Sequence, residues 1–513
     1  MKRWIVGVLL AGCSSSSAMS PNDTSDAGAP GASDGALGDD ASASDGAAPP
    51  QGDAAFADGP APDAAAPAPP GAYVTTDDLT MGLTPVAITI GESGPADATI
   101  TIDATTTYQT MLGFGASITD SSSFVMTKYL SPAALADVLV KLFDPASGAG
   151  LSFLRQPMGA SDFSSAGNFS YDDGASDPTL SRFNVTQDMK ATIPLLKQIL
   201  AAHPDVFILG TPWSPPAWMK NNGSMNGTGG GGGSSGLAGN AYAPLGHYFV
   251  KFVQAYAQQG VPIGAVTPQN EPLNGAAAYP GMDLNAPSEL ALIAQDIGPS
   301  LRAAGLPTAI WAYDHNWDVE SYPEQIMADP TASSFTEAAA FHCYGGDPSA
   351  MTTFHQRYPA KSIYMTECSG GDWQNDAFAA TIDLAIDSTA NWAEAVALWN
   401  MALDENKGPQ NHGCATCRGV ITVNSQSGHV TYNADYFGLG HFAKFVRRGA
   451  VRIASAASGG SLKQVAFKNG DGRLALIAHN TGASATSVRV GAGASAMTVQ
   501  VPANAAVTFS WSP

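Results

Sequence analysis

Thr267-Pro268-Gln269-Asn270-Glu271-Pro272 follows a short apolar run and sets a carboxylate where a strand would end. The same arrangement recurs along the middle of the chain. Gly113-Phe114-Gly115-Ala116-Ser117-Ile118-Thr119-Asp120 is one case, and Leu154-Arg155-Gln156-Pro157-Met158-Gly159-Ala160-Ser161-Asp162-Phe163 another. Thr211-Pro212-Trp213-Ser214-Pro215-Pro216-Ala217-Trp218-Met219-Lys220, Phe341-His342-Cys343-Tyr344, Tyr364-Met365-Thr366-Glu367-Cys368 and Leu398-Trp399-Asn400 complete the set. Strands are predicted to end near Ser117, Pro157, Pro212, Glu271, His315, Tyr344, Glu367 and Asn400. Helical periodicity lies between them, over 186–202, 247–259, 288–304 and 376–387. Eight β/α steps across residues 111–445 predict an α/β fold, a (β/α)8 TIM barrel, with a doubly wound open sheet as the alternative. In a barrel the C-terminal strand ends form the mouth where catalytic residues sit.

The flanks read differently. Residues 86–90 and 98–102 alternate apolar and polar, as do five short runs at 462–467, 474–478, 487–490, 497–501 and 506–511. A β-sandwich is expected from both chain ends, residues 73–110 joining 446–513. Residues 14–72 are almost all Ala, Asp, Gly, Pro and Ser and contain no Lys, Arg or Glu. Such a segment has too little apolar surface to offset ordering entropy, and it is read as a disordered tether. Ahead of it, Lys2 and Arg3 precede an apolar run from Trp4 to Leu10 that is too short to span a bilayer. Leu10-Ala11-Gly12-Cys13 resembles a bacterial lipoprotein signal over residues 1–13, with Cys13 lipidated; an ordinary secretory signal is the alternative. The expected setting is extracytoplasmic, lipid-anchored in a bacterial cell envelope or secreted, with membrane contact only through the anchor.

Composition narrows the partners. The 513 residues are 44% hydrophobic and only 13% charged, with a net charge of −21. An acidic surface repels phosphate backbones and anionic headgroups, so nucleic acid is excluded and a neutral substrate is favoured. Besides Cys13 there are four cysteines. Cys414 and Cys417 form one CxxC pair without a second, which reads as a local disulfide rather than a zinc half-site. Cys343 and Cys368 follow neighbouring predicted strands and are either paired or free. The glycine run 227–236 lacks the Lys-Ser/Thr ending of a phosphate loop.

Two acids stand out. Glu271 and Glu367 end strands four and seven, which face each other across a barrel. A glycosidase needs such a pair: at a separation of about 5–5.5 Å one is nucleophile and the other acid/base, and configuration is retained. The charge of one raises the proton affinity of the other, so one is expected ionised and one protonated. Tyr344 is placed to donate to the nucleophile and Arg155 to keep it ionised. His342 and His441 read as residues that satisfy loop hydrogen bonds. Trp317, Tyr322 and Trp373 read equally as further sugar platforms or as loop packing.

The ordered set Gly113-Phe114-Gly115, Trp213 to Lys220, Asn270-Glu271-Pro272, Thr366-Glu367 and Leu439-Gly440-His441-Phe442 with Lys444-Phe445 resembles glycoside hydrolase family 30, in a glucosylceramidase-like bacterial form. The resemblance spans roughly residues 80–513 and implies a barrel fused to a sandwich. It implies Glu271 as acid/base, Glu367 as nucleophile, Asn270 at the sugar 2-hydroxyl, and Arg155, Asp162, Trp213, Tyr344, Trp399 and Asn400 lining the pocket. It also implies double displacement on a neutral β-glycoside, glycolipid or glucan, with no metal or organic cofactor. Cys343 and the 408–418 loop depart from the lysosomal enzyme and put ceramide in doubt. The expectation is a β-glucosidase of glucosylceramidase type; the alternatives are an endo-β-1,6-glucanase on the same fold and a non-catalytic carbohydrate-binding surface protein.

Overall fold

The computed structural model describes residues 70–91, 95–229, 233–491 and 495–513. The expected signal, Cys13 and all but the end of the expected tether lie outside the described residues. Gly71–Thr75 is a strand, so the tether reading ran past its first residues.

Eight parallel strands close a barrel. They are β1 (Gly113–Ser117), β2 (Phe153–Pro157), β3 (Phe207–Thr211), β4 (Ala265–Val266), β5 (Ala309–Asn316), β6 (Thr336–His342), β7 (Ser362–Glu367) and β8 (Ala395–Leu398). β8 returns to β1 through Ala395↔Gly113. The floor of the barrel is built from rings set against alanines. Trp311 stacks on Tyr364 at 3.7 Å, on Phe207 at 5.7 Å and on Phe153 at 6.1 Å, with Ala265, Ala338, Ala340, Ala395 and Ala397 filling the gaps. Large against small is how a closed barrel reaches core density. β1 runs so close to β2 that a Cβ on Gly115 would meet the Phe153 carbonyl at 1.8 Å.

The helices follow the apolar spacing with shifted ends. Tyr242–Gln258 buries Leu245, Tyr248, Phe249, Phe252, Val253 and Tyr256, one face of a 3.6-residue period. The helix expected over 288–304 is Ala286–Leu292, a π turn at Ile293–Ile297, then Gly298–Ala303. Pro299 has no N–H for the regular ladder, and the wide turn absorbs that loss. Among the described residues no helix is long and apolar enough to cross a membrane.

The sandwich is a ten-stranded sheet drawing on both chain ends. Gly71–Thr75 pairs with Ala505–Trp511, and Ala98–Thr110 lies between Val451–Ser458 and Thr486–Val490. His441, on the helix Ala434–Ala443, joins the two domains. Its ring nitrogens meet Thr508 Oγ1 and Thr75 Oγ1, each at 2.8 Å. It thus bonds across a domain seam rather than within a loop, and burial lowers its pKa to about 3, so it stays neutral.

Candidate active site

β2, β5 and β7 supply the centre of the mouth. Arg155 is completely buried. Its Nη1 donates to Glu367 Oε2 at 2.6 Å, and its Nη2 donates to Asn270 Oδ1 and Asp314 Oδ2, each at 2.7 Å. It therefore lies beneath the pocket and does not line it, contrary to the expectation. A guanidinium can only donate, so Asn270 must turn its oxygen to Arg155 and leave its NH2 for the cavity.

Strand irregularities aim these groups. Inward positions recur every second residue, which from Trp311 selects Tyr313 and not Asp314. The ladder slips here: Ala340 pairs with Tyr313 and Phe341 with His315, leaving Asp314 as an extra residue. Tyr313 and Asp314 have φ of 79° and 61°. The bulge re-aims Asp314 inward. A second slip leaves Thr366 unpaired between Met365 and Glu367. Both Thr366 and Glu367 reach the site, and Thr366 Oγ1 donates to Asp314 Oδ1 at 2.6 Å. Glu271 does not end a strand, because β4 stops at Val266. It sits on an extension at φ 44°, held by its N–H to the Asp314 carbonyl at 3.0 Å.

The two acids meet. Glu271, Glu367 and His342 each place an atom within 4.8 Å of the others. Tyr344 OH donates to Glu367 Oε1 at 2.8 Å. Glu271 takes Asn274 Nδ2 on Oε2 at 2.8 Å and faces His342 Nδ1 through Oε1 at 3.2 Å. His342 Nε2 faces Asp314 Oδ1 at 3.1 Å. His342 is thus part of the site and not a loop residue. The trio of Glu271, His342 and Glu367 is close enough to ligate one cation, but both His342 nitrogens already face carboxylates, and a metal would have to break one of those contacts.

Proton affinities differ from the expected order. Burial opposes charge on Glu271, yet the hydrogen bond and charge of His342 hold it down at about 2. Burial also opposes charge on His342, but Glu367 and Asp314 raise it to about 9. Glu367 is pushed up by burial, while His342 and Arg155 pull it back. An acid that accepts from a guanidinium and a phenol has little room for a proton of its own, so the contacts favour ionised Glu367. The expected protonated Glu271 is therefore replaced by an ion pair with His342, which holds the proton.

The pocket wall is aromatic. Trp213 and Trp399 stack at 4.8 Å, with the Arg155 guanidinium 4.7 Å from the Trp213 ring. The structure pairs Cys414 with Cys417, packed against Trp213, Trp399 and Phe163, and pairs Cys343 with Cys368. The 408–418 loop grips Asp162: Asn411 N–H donates to its carbonyl at 2.8 Å. Only glycine fits at 413, where a Cβ would lie 2.8 Å from Asp162 Oδ2. Burial, then Glu367 and Glu271, push the Asp162 carboxyl well above the usual range. Asn400 does not line the pocket. It is fully enclosed and its Oδ1 accepts from Thr119 Oγ1 at 2.9 Å, which makes it a wall support. Tyr322 is also internal, donating to the Leu284 carbonyl and Glu289; Trp317 is buried, and Trp373 is 53% exposed.

Asp314, Asn274 and Tyr279 escaped the sequence reading. Asp314 lies inside β5, two residues before its end at Asn316, and strand alternation from Trp311 gives no sign that it faces the site. Asn274 lies one turn past Glu271. Tyr279 packs against the Trp213–Trp399 cluster, and burial with Asp162 and Glu271 nearby raises it to about 12.

Comparison with known proteins agrees with this geometry. Residues 111–446 match the glycosyl hydrolase family 30 TIM-barrel domain and residues 449–509 the glycosyl hydrolase family 30 beta sandwich domain. The chain is 38% identical over 412 residues to endo-1,6-beta-D-glucanase neg1 of Aspergillus fumigatus, covering 74% of this chain and 81% of that protein. It is 27% identical over 407 residues to lysosomal acid glucosylceramidase of Mus musculus, covering 74% and 77%. The solved endo-beta1,6-glucanase BT3312 superposes with a TM-score of 0.80 at 30% identity, covering 87% of this chain and all of that one. With a closed barrel, a two-ended sandwich and facing carboxylates already in place, the chain belongs to glycoside hydrolase family 30, the retaining glycosidases.

Proposed function

We propose that the chain cleaves β-1,6-glucan internally by double displacement, with Glu367 as nucleophile and Glu271 as acid/base. The substrate reading rests on one observation: identity to an endo-1,6-β-glucanase exceeds identity to a glucosylceramidase, 38% against 27%. This favours the glucan alternative over the glucosylceramidase expectation. Exposed Leu273, Tyr344 and Trp373 follow β4, β6 and β7 and offer apolar surface to a chain beyond the first sugar.

In the first step Glu367 attacks the anomeric carbon while Glu271 gives a proton to the departing oxygen. That proton starts on His342. A bound sugar strips water from the partly open Glu271, which disfavours the ion pair and moves the proton from Nδ1 to the carboxylate. Asn270 offers its free NH2 to the 2-hydroxyl. Asp162 accepts from sugar hydroxyls beside Trp213 and Trp399. Once the ester forms, Glu367 is neutral, and Glu271 takes a proton from water to release the sugar. The paired cysteines support an extracytoplasmic setting.

Digestion of linear β-1,6-glucan tests the substrate. Early products should be a ladder of oligosaccharides. Glucose alone from the first minutes, or cleavage of glucosylceramide with β-1,6-glucan untouched, would contradict the proposal.

A further inference from the structure

The Cys343–Cys368 disulfide joins the two residues that follow His342 and Glu367. Its surroundings show what it holds. The β6–β7 ladder slips between Phe341 and His342, so regular pairing gives out just before Tyr344. Gly345 and Gly346 come directly after, the latter at φ +85°. Tyr344 therefore sits between a bulge and two glycines packed against Asp318, and it is 46% exposed. Apart from the disulfide, its backbone is fixed by its N–H to Asn316 Oδ1 at 3.2 Å and by the neighbouring Cys343 N–H to the Glu367 carbonyl at 3.3 Å. Yet its hydroxyl must stay 2.8 Å from Glu367 Oε1, with Ser369 Oγ at 2.9 Å. The Cys368 carbonyl also accepts from the Trp399 N–H at 2.9 Å. One covalent link thus ties the ends of β6 and β7, and through that hydrogen bond the end of β8.

We infer that the Cys343–Cys368 disulfide is a positioning element for catalysis, keeping Tyr344 hydrogen-bonded to the nucleophile. The inference rests on Glu367 as nucleophile. The Tyr344 ring meets the His342 ring at 6.0 Å and its hydroxyl also faces Ser369 Oγ at 2.9 Å, so its aim follows the backbone at the end of β6, where a shift of about one ångström would break its bond to Glu367. Losing that donor raises the proton affinity of Glu367, because the bond favours its ionised form. Arg155 and His342 face Glu367 from β2 and β6, Glu271 from the β4 extension and Asp162 from the loop after β2; none of these is tied by the disulfide except His342.

The test is a double-mutant cycle with wild type, C343A/C368A, Y344F and the triple variant. In the wild-type background, opening the link should lower kcat about tenfold, as expected for a slight misplacement of a catalytic partner. KM should change less than kcat, and the acid limb of kcat/KM should move to higher pH. In the Y344F background the same opening should change kcat by less than about twofold, because coupled residues do not add. Equal losses in both backgrounds, or no loss in the wild type, would overturn the inference. If alanine at both sites prevents folding, C343S/C368S fills nearly the same volume and is read by the same criteria. Failure of the underlying assignment is seen separately: Glu367→Gln with undiminished hydrolysis removes the nucleophile whatever the disulfide does.

Discussion

The floor and the mouth of the barrel are made by the same strands and obey opposite chemistry. β2 carries Phe153 at the floor and Arg155 at the mouth; β5 carries Trp311 and Asp314; β7 carries Tyr364 and Glu367. At the floor, stacked rings and alanines form the packing, and the Tyr364 hydroxyl is bonded to Glu394 Oε2 at 3.4 Å. Two or three residues on, a buried guanidinium meets two carboxylates with almost no solvent. The floor gains from burying apolar area. The mouth loses by desolvating charge and retains it only because each charge is paired and hydrogen-bonded. The backbone differs too: at the mouth Asp314 on β5 and Thr366 on β7 are extra residues in their ladders, whereas at the floor the β5–β6 ladder slips on the β6 side, between Thr336 and Ala338.

Substitutions can break that contrast. Glu367→Gln should lower kcat about 10⁴-fold or more while leaving the melting temperature nearly unchanged; a small loss of activity would remove Glu367 as nucleophile. Arg155→Met should abolish measurable hydrolysis and also cost about 3–5 kcal/mol of stability, since Asp314 and Glu367 lose their shared cation. Trp311→Ala should cost a similar ~3–5 kcal/mol through the cavity it leaves, seen in denaturant unfolding. The folded fraction should nevertheless keep kcat within about twofold, because the ring stacks on Phe153, Phe207 and Tyr364 at the floor. If Trp311→Ala silenced the enzyme without unfolding it, floor and mouth would not be separable.

Smaller effects sharpen the picture. His342 is raised from 6.5 to about 9. A raised folded pKa stabilises fully below the unfolded value, and that contribution disappears as pH climbs through the folded one. Wild-type melting temperature should therefore fall between about pH 6.5 and 9, and less steeply in His342→Gln. The same variant should move the alkaline limb of kcat/KM to lower pH, since Glu271 must then hold the proton alone. An unmoved limb would place the proton elsewhere. Trp373→Ala should raise KM a few-fold for long β-1,6-glucan and leave an aryl β-glucoside unaffected, consistent with about 1 kcal/mol for an exposed aromatic contact. Equal effects on both would deny Trp373 a place beyond the first sugar.

The sequence made the barrel legible because apolar runs ending in polar clusters are a strand-end signature, and Arg155, Glu271 and Glu367 were found that way. Asp314 was not, because alternation from Trp311 points it outward, and only the bulge turns it in. Arg155 was placed on the pocket surface, since a motif gives identity and not depth. Asn400 was misplaced for the same reason. The order of proton affinities was also beyond reach: it depends on His342 lying between Glu271 and Asp314, a contact among β4, β5 and β6 that no spacing reveals. Gly71 and Ala72, the first two residues of the strand Gly71–Thr75, are read as tether because they resemble the small residues before them, while the strand's partner Ala505–Trp511 lies more than four hundred residues away.

Covalent trapping addresses the central claim most directly. An activated 2-deoxy-2-fluoro β-glucoside forms the first ester and stalls there, and peptide mass mapping locates the attached sugar. The label should fall on the peptide containing Glu367 and be absent from Glu367→Gln. A label on Glu271, or on any other residue, would contradict the proposed division of labour between the two acids.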